Sequence, residues 1–175
     1  VATHGSSPVS LCGVLARMRR AKAAAVGWSS RRRIKILQHV KVLMQPMVNA
    51  KHIKLQVLQT ASKISLQIDF KLIEQALINL ITNSMYALED IKQPIIEVTY
   101  RLAHNKVYID VTDNGKGIEA ENIEKIFVPF YTTRKTGSGI GLTITRNIMK
   151  MHRGSLEVDS TPNQHTTFSL VFNYA

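Results

Sequence analysis

Acidic residues are missing from the first third of this 175-residue chain: none precedes Asp69, whereas residues 1–68 hold twelve Lys or Arg. From Asp69 onward eleven basic residues face twelve acidic ones, so the formal net charge of +11 belongs to the front of the chain alone. Cysteine is nearly absent. Cys12 stands by itself, which excludes an internal disulfide and suits a reducing compartment. No stretch approaches the roughly 18 consecutive apolar residues that a membrane span needs. Aromatic residues make up 6% of the chain and include a single tryptophan, Trp28, so a nucleic-acid surface built on base stacking has no support. No internal repeat or low-complexity tract is present.

The acid-free front has several readings. A cationic arm suits nucleic acid or anionic lipid, and Arg, Ser and Ala without acids is also the composition of a transit peptide. The plainest reading is a vector-derived or poorly ordered leader over residues 1–33. Gly5-Ser6-Ser7-Pro8 and Gly27-Trp28-Ser29-Ser30 read as breaks within it, with Arg31-Arg32-Arg33 after the second. Between them, residues 11–26 are rich in Ala and Arg and compatible with a helix. Residues 34–175 suffice for one ordinary domain with a core.

Within that domain the apolar periodicity changes several times. Residues 34–51 predict a helix with Ile36, Val40, Leu43, Met47 and Ala50 on one face and Pro46 as a point of kinking. Leu55-Gln56-Val57-Leu58 and Leu66-Gln67-Ile68 read as the two strands of a hairpin. Asp69 is placed to cap a long helix reaching about residue 89, with Leu72, Ile73, Ala76, Leu77, Leu80, Ile81, Ser84 and Leu88 on a broad face. Residues 96–102 and 106–111 alternate as strands around a His104-Asn105 turn. Residues 118–126 suggest a short helix, 127–138 a loop and 139–151 a helix with a glycine-rich start. Strands at 155–159 and 166–172 follow, with Pro162-Asn163 between them. Strands covered by one layer of helices predict an α/β two-layer sandwich.

Three small constellations carry chemistry. Asn79 and Asn83, four apart, share a helix face; their amides need partners if buried, and a phosphate-bound Mg²⁺ is one such partner. Taken alone, the pair is better explained by two caps or core hydrogen bonds. Asp113 opens Asp113-Asn114-Gly115-Lys116-Gly117-Ile118 after a strand, where its carboxylate could accept from an adenine amine, although Asp-Asn-Gly is also plain turn chemistry. Gly137-Ser138-Gly139-Ile140-Gly141-Leu142 opens a helix, whose first N–H groups and dipole favour an anion. It lacks the Gly-x-Gly-x-x-Gly order of the dinucleotide fold and the Gly-Lys-Ser/Thr end of a P-loop. Arg134 and Lys135, just before it, are suited to phosphate oxygens.

The order of these pieces is more specific than any one of them. Asn79-Leu80-Ile81-Thr82-Asn83-Ser84-Met85-Tyr86-Ala87, the 113–118 turn, Ile126-Phe127-Val128-Pro129-Phe130-Tyr131-Thr132-Thr133 and the 137–142 turn together resemble the ATP-binding catalytic domain of sensor histidine kinases. That family is grouped with gyrase, the large heat-shock chaperone and the mismatch-repair ATPase. The resemblance spans roughly residues 36–173 and implies the Bergerat ATP-binding fold. That fold is a mixed, mostly antiparallel sheet under one layer of about three helices. It implies ATP and Mg²⁺ as cofactors, with Asn83 on the metal and Asn79 assisting the metal or phosphates. Asp113 would hold the adenine amine, and Gly115 and Gly117 would let the backbone pass under the base. Ala87, Ile118, Tyr131, Thr132, Gly137, Gly139, Ile140, Gly141, Leu142 and Thr167 complete the implied nucleotide set, with Arg134 or Lys135 on the phosphates. Residues 131–138 would be a mobile lid, with Phe127 and Phe130 in an aromatic box beneath it. Thr166-Thr167-Phe168 resembles the family's last Gly-Thr-x-Phe element with His165 in place of the glycine. His152-Arg153-Gly154 resembles its His-x-Gly turn, in which His152 is read as structural.

Members of the wider group that activate water carry a Glu four residues before the metal Asn. Asn79 holds that place here and is no base, which favours phosphoryl transfer over hydrolysis. The family's acceptor is a His followed directly by an acid, and none of the six histidines here has one. The expected object is therefore a monomeric catalytic fragment acting on a histidine in a separate dimerisation domain, with a response regulator downstream and a cytoplasmic location. No nucleic-acid partner is expected. Two rivals stand beside it: an ATP-driven conformational switch with slow hydrolysis, and a nucleic-acid or membrane module using residues 11–41.

Overall fold

The computed structural model describes residues 32–33, 35–59, 65–133 and 137–174. The expected leader, apart from Arg32 and Arg33, lies outside these residues, as do Arg134 and Lys135. Helix α1 (Lys35–Ala50) leads into strand β2 (Lys54–Gln59), and helix α2 (Phe70–Ala87) into strands β4 (Ile95–Ala103) and β5 (Lys106–Asp113). Two short 3-10 turns, Ala120–Asn122 and Lys125–Phe127, precede helix α3 (Gly141–Met151) and strands β6 (Ser155–Thr161) and β7 (His165–Asn173). A pair of two-residue strands, β1 (Arg32–Arg33) and β3 (Ser65–Leu66), lies antiparallel apart from the main sheet.

The main sheet has five strands in the order β2-β4-β5-β7-β6. Only β2 and β4 run parallel; the other pairings are antiparallel. This overturns the expected 55–58/66–68 hairpin. Parallel strands cannot be joined by a tight turn and need a long crossover, which here contains α2, while Leu66 pairs with Arg32 instead. The sheet is mixed and mostly antiparallel, with three α-helices among the described residues.

Asp69 caps α2 as its position predicts: its side chain accepts the N–H groups of Lys71 and Leu72. The buried stripe of α2 contains Ile73, Ala76, Leu77, Leu80, Ile81, Ser84 and Met85. It packs over β4 and β5, and α3 packs over β7 and β6; the buried alternate residues beneath the helices are Ile96, Val98 and Tyr100 on β4, Val107, Ile109 and Val111 on β5, and Phe168, Leu170 and Phe172 on β7. Each fully buried Leu or Ile contributes about 1.5–3 kcal/mol. The same alternation turns Asp113, the last residue of β5, inward.

Two helical expectations need correction. The buried face of α1 is Ile36, Leu37, Val40, Met44 and Val48, while Leu43 and Met47 are about half exposed. The chain carries two overlapping apolar stripes here, and packing against β2 and α2 selects one. Residues 118–126 form the two 3-10 turns rather than an α-helix, since the segment is too short to sustain one. On the opposite face of the sheet polar groups pair with one another: Asp110 accepts from Arg101 Nε at 2.9 Å and from Ser169 Oγ at 2.6 Å.

Candidate functional site

Helix α2 is the spine of the site. Asn79, Asn83 and Ala87 follow at four-residue steps along one side of it. From Asn79 to Ala87 the axis advances about 12 Å, enough to separate a base end from a phosphate end. Contacts from three other elements land on this stretch in order.

At the Ala87 end sits the 113–118 turn. The Ala87 carbonyl accepts the N–H of Lys116 at 3.1 Å. Asp113 is 2% exposed, and its carboxylate accepts from Ser84 Oγ at 2.7 Å and from the Gly115 N–H at 3.0 Å. Burial pushes the Asp113 carboxyl above its ordinary range; the Ser84 hydroxyl, the Gly115 N–H and the charge of His165 each pull it back. Asn114 points away and joins strand ends, its side chain accepting from Ile95 N and donating to Gln93 O, both at 2.8 Å.

The glycines of this turn are required by the protein's own packing. A Cβ at Gly115 would stand 2.6 Å from the Ala87 carbonyl oxygen. One at Gly117, where φ is +68°, would collide with the Thr161 carbonyl oxygen. The β6–β7 turn closes over the same place, with Asn163 N donating to Lys116 O at 2.8 Å and Ile118 N to Ser160 Oγ at 2.9 Å.

At the Asn79 end lies the start of α3. Asn79 Nδ2 donates to the Gly141 carbonyl at 3.3 Å and lies 3.5 Å from Thr145 Oγ1. The helix begins at Gly141, two residues later than expected, because Gly139 is left-handed with φ +66° and cannot be helical. Ile140 is its N-cap, and this apolar residue makes no side-chain cap bond to the first-turn N–H groups. Gly139 is demanded by the fold: a Cβ there would stand 2.5 Å from the Phe130 carbonyl carbon. Gly141 differs, since a Cβ there would meet nothing nearer than Asn79 Cγ at 3.8 Å. That unfilled space beside the helix start fits a ligand's phosphates.

The Phe130 N–H donates to Gly139 O at 3.0 Å and closes the neck of the 131–138 loop. Tyr131 is tied down by its hydroxyl, which donates to Asn122 Oδ1 at 2.8 Å. Thr132 is exposed, Gly137 and Leu142 are half-buried, and Ile118 is half-buried at the first turn. Of the two aromatic-box residues, Phe127 is half-buried beneath Arg146, whose guanidinium carbon lies 5.4 Å from the ring centre. Phe130 is not packed beneath the loop: it is 70% exposed at φ +67°.

Thr167 does not belong to the site. Asp113 pairs in register with Thr166, so Thr166 shares its face. Thr167 points to the opposite face, where its hydroxyl meets Thr112 Oγ1 at 2.9 Å. The buried Thr166 hydroxyl lies 3.0 Å from Ser160 Oγ. Thr166, singled out in the sequence within the Gly-Thr-x-Phe-like element, lies beside Asp113, and Ser84, which the sequence reading placed only on the apolar helix face, bonds to it. The signal for Ser84 was a hydroxyl within an apolar helix face, which requires a partner. His152 holds the far side of the scaffold: Nδ1–H donates to Ile148 O at 2.8 Å and Nε2 accepts the Asp69 N–H at 3.0 Å. An apolar hollow between α1, α2 and the sheet, lined by Leu37, Val40, Lys41, Leu55, Val57, Leu77, Ile81 and Val98, shares no residue with the site.

The buried Asp113 carboxylate at one end of the Asn79–Ala87 stretch of α2 and the start of α3 at the other frame the site of a nucleotide-binding α/β domain. Residues 68–175 match the family described as histidine kinase-, DNA gyrase B-, and HSP90-like ATPase, and the chain belongs to it. It is 33% identical over 135 residues to the sensor histidine kinase ZraS of Escherichia coli (strain K12), covering 77% of this chain and 29% of that protein. To sporulation kinase A of Bacillus subtilis (strain 168) it is 30% identical over 138 residues, 79% of this chain and 22% of the relative. The chain thus spans less than a third of the length of these curated relatives. The nucleotide-free catalytic domain of the histidine kinase ThkA superposes with a TM-score of 0.70 at 28% identity, covering 81% of this chain and 94% of that one. The chain carries the family's ATP-binding domain.

Proposed function

We propose that this domain binds Mg-ATP and transfers the γ-phosphoryl group to a histidine on a dimerisation domain, as the catalytic part of a two-component sensor histidine kinase. Asp113 reads the adenine amine, and the α3 start with Gly141 receives the phosphates. Arg134 and Lys135 supply positive charge to the phosphate oxygens. The single observation that carries the reading is the spacing of Asp113 and Gly141 against opposite ends of one stretch of α2.

The donor set suits magnesium held jointly with a nucleotide. Asn83 offers a neutral, hard amide oxygen, and among the described residues no group of three or more His, Cys, Asp or Glu forms a metal site by itself. Asn83 would hold the ion together with the phosphates, where its charge would offset theirs. Asn79 provides no general base, and its amide N–H is engaged by Gly141. This side chain positions the helix start and does not activate water, which favours transfer over hydrolysis.

Among the described residues no helix is long and apolar enough to cross a membrane. The chain is read as a monomeric cytoplasmic domain whose partners are the histidine-bearing domain and, beyond it, a response regulator. Titration with ATP in the presence and absence of Mg²⁺, with GTP as competitor, tests the binding step. Phosphate appearing on a supplied histidine hairpin supports transfer. Steady phosphate release without an acceptor would overturn transfer in favour of an ATPase switch.

A further inference from the structure

We infer that Ser84 is a positioning and specificity residue, holding Asp113 as a fixed, ionised acceptor so that the site selects adenine over guanine. This rests on the reading of Asp113 as the base-binding group. Ser84 is 1% exposed and lies within the apolar stripe of α2 between Ile81 and Met85. Nothing in the helix requires a hydroxyl there: Ser is a poorer helix former than Ala, and burying its oxygen is costly unless it is bonded. Its hydroxyl donates to Asp113 Oδ2 at 2.7 Å.

The two donors act on different atoms of the carboxylate. Ser84 holds Oδ2 and the Gly115 N–H holds Oδ1 at 3.0 Å, so rotation about the last side-chain bond breaks both. An ionised carboxylate has about four acceptor positions. Two remain for a base, and they accept from an amine while repelling a carbonyl oxygen. Adenine offers an amine at its six-position and guanine offers an oxygen.

Burial acts against this arrangement, since a carboxyl that is 2% exposed tends to keep its proton. A protonated Asp113 would donate, and guanine would become acceptable. Ser84 faces Asp113 from α2, Thr166 and His165 belong to β7, and Ile96 is its partner on β4. His165 is the one whose charge is felt there.

The test compares the wild-type chain with Ser84→Ala and Ser84→Thr, measuring the Kd of Mg-ATP and Mg-GTP from pH 5 to 8. Ser84→Ala is expected to bind ATP about tenfold more weakly, the loss typical of a bond to a charged group. Its acid limb should move to higher pH, and its ATP-to-GTP preference should shrink toward low pH. Ser84→Thr, which keeps the hydroxyl, should restore all three. His165 is common to the three proteins, so their differences isolate position 84. Equal losses for ATP and GTP with an unmoved acid limb would mean that Ser84 only supports the fold, and wild-type behaviour in Ser84→Ala would also overturn the inference. Asp113→Asn separates the levels: if it keeps the wild-type ATP-to-GTP ratio, the base-binding role of Asp113 fails and the inference fails with it.

Discussion

The side-chain amide of Asn79 reaches the Gly141 carbonyl across 62 positions of sequence. This contact links the middle of α2 to the first residue of α3, one helical turn of α2 before Asn83. A Cβ added at Gly141 would meet Asn79 only at ordinary van der Waals distance, whereas one at Gly139, two residues earlier, would collide with the backbone of Phe130 and Tyr131.

The two glycines should therefore fail in different ways. Gly139→Ala forces a side chain into a left-handed position, costing about 1–2 kcal/mol before any steric shift, and thermal melting should show the loss. Gly141→Ala should leave the melting temperature unchanged or raise it, since Ala favours a helix by about 1 kcal/mol. It should nevertheless weaken ATP binding by about tenfold, or about 1.4 kcal/mol. Calorimetric titration beside a melting curve separates the two effects.

Asn83→Ala should abolish the Mg²⁺-dependent part of ATP binding and leave the circular dichroism spectrum unchanged. Asn83 is half-buried on α2 and outside its buried stripe, so its loss opens no core cavity. Normal Mg-ATP affinity in the variant would rule out the metal role.

Asp113→Ala should cost about 1.5–3 kcal/mol of ATP affinity through a lost charge-assisted bond. In the unaltered protein, ATP binding should decline as pH falls through the Asp113 pKa, because an amine needs the ionised carboxylate. Burial raises that pKa, so the decline should begin above the usual carboxylate range. A pH series of ATP titrations checks both the sign and the position.

His152 predicts a pH dependence of stability. Burial lowers its pKa, and Nε2 must stay unprotonated to accept the Asp69 N–H. The unfolded chain then binds a proton that the folded one refuses. Stability is fully present above the ordinary histidine pKa of about 6.5 and is lost as pH falls below it. His152→Ala should flatten that slope and cost about 1–3 kcal/mol at neutral pH by leaving the Asp69 N–H unsatisfied. Urea melts at several pH values measure both.

Much of the fold could be read locally. Asp69 as a cap and the 3.6-residue spacing of Ile73, Ala76, Leu77, Leu80 and Ile81 were sufficient for α2. Alternation was sufficient for β4, β5, β6 and β7. The α1 face could not be read this way, because Leu43 and Met47 fit the same period as Met44 and Val48 and only the packed partners distinguish them. Thr167 was taken for a site residue because a motif does not state its face. The pairing of Asp113 with Thr166 does, and a shift of one residue reverses the side.

The amino-acid sequence by itself determined the three α-helices and the strands of the main sheet, and which amides, carboxylate and glycines stand in the motifs. Both follow from short-range propensity and spacing. Tertiary structure alone decided that β2 pairs with β4 and β3 with β1, that Ser84 meets Asp113, and that Gly139 serves the fold while Gly141 leaves room for a ligand. Those outcomes depend on atoms far apart in the chain, and local periodicity carries no record of what packs against it.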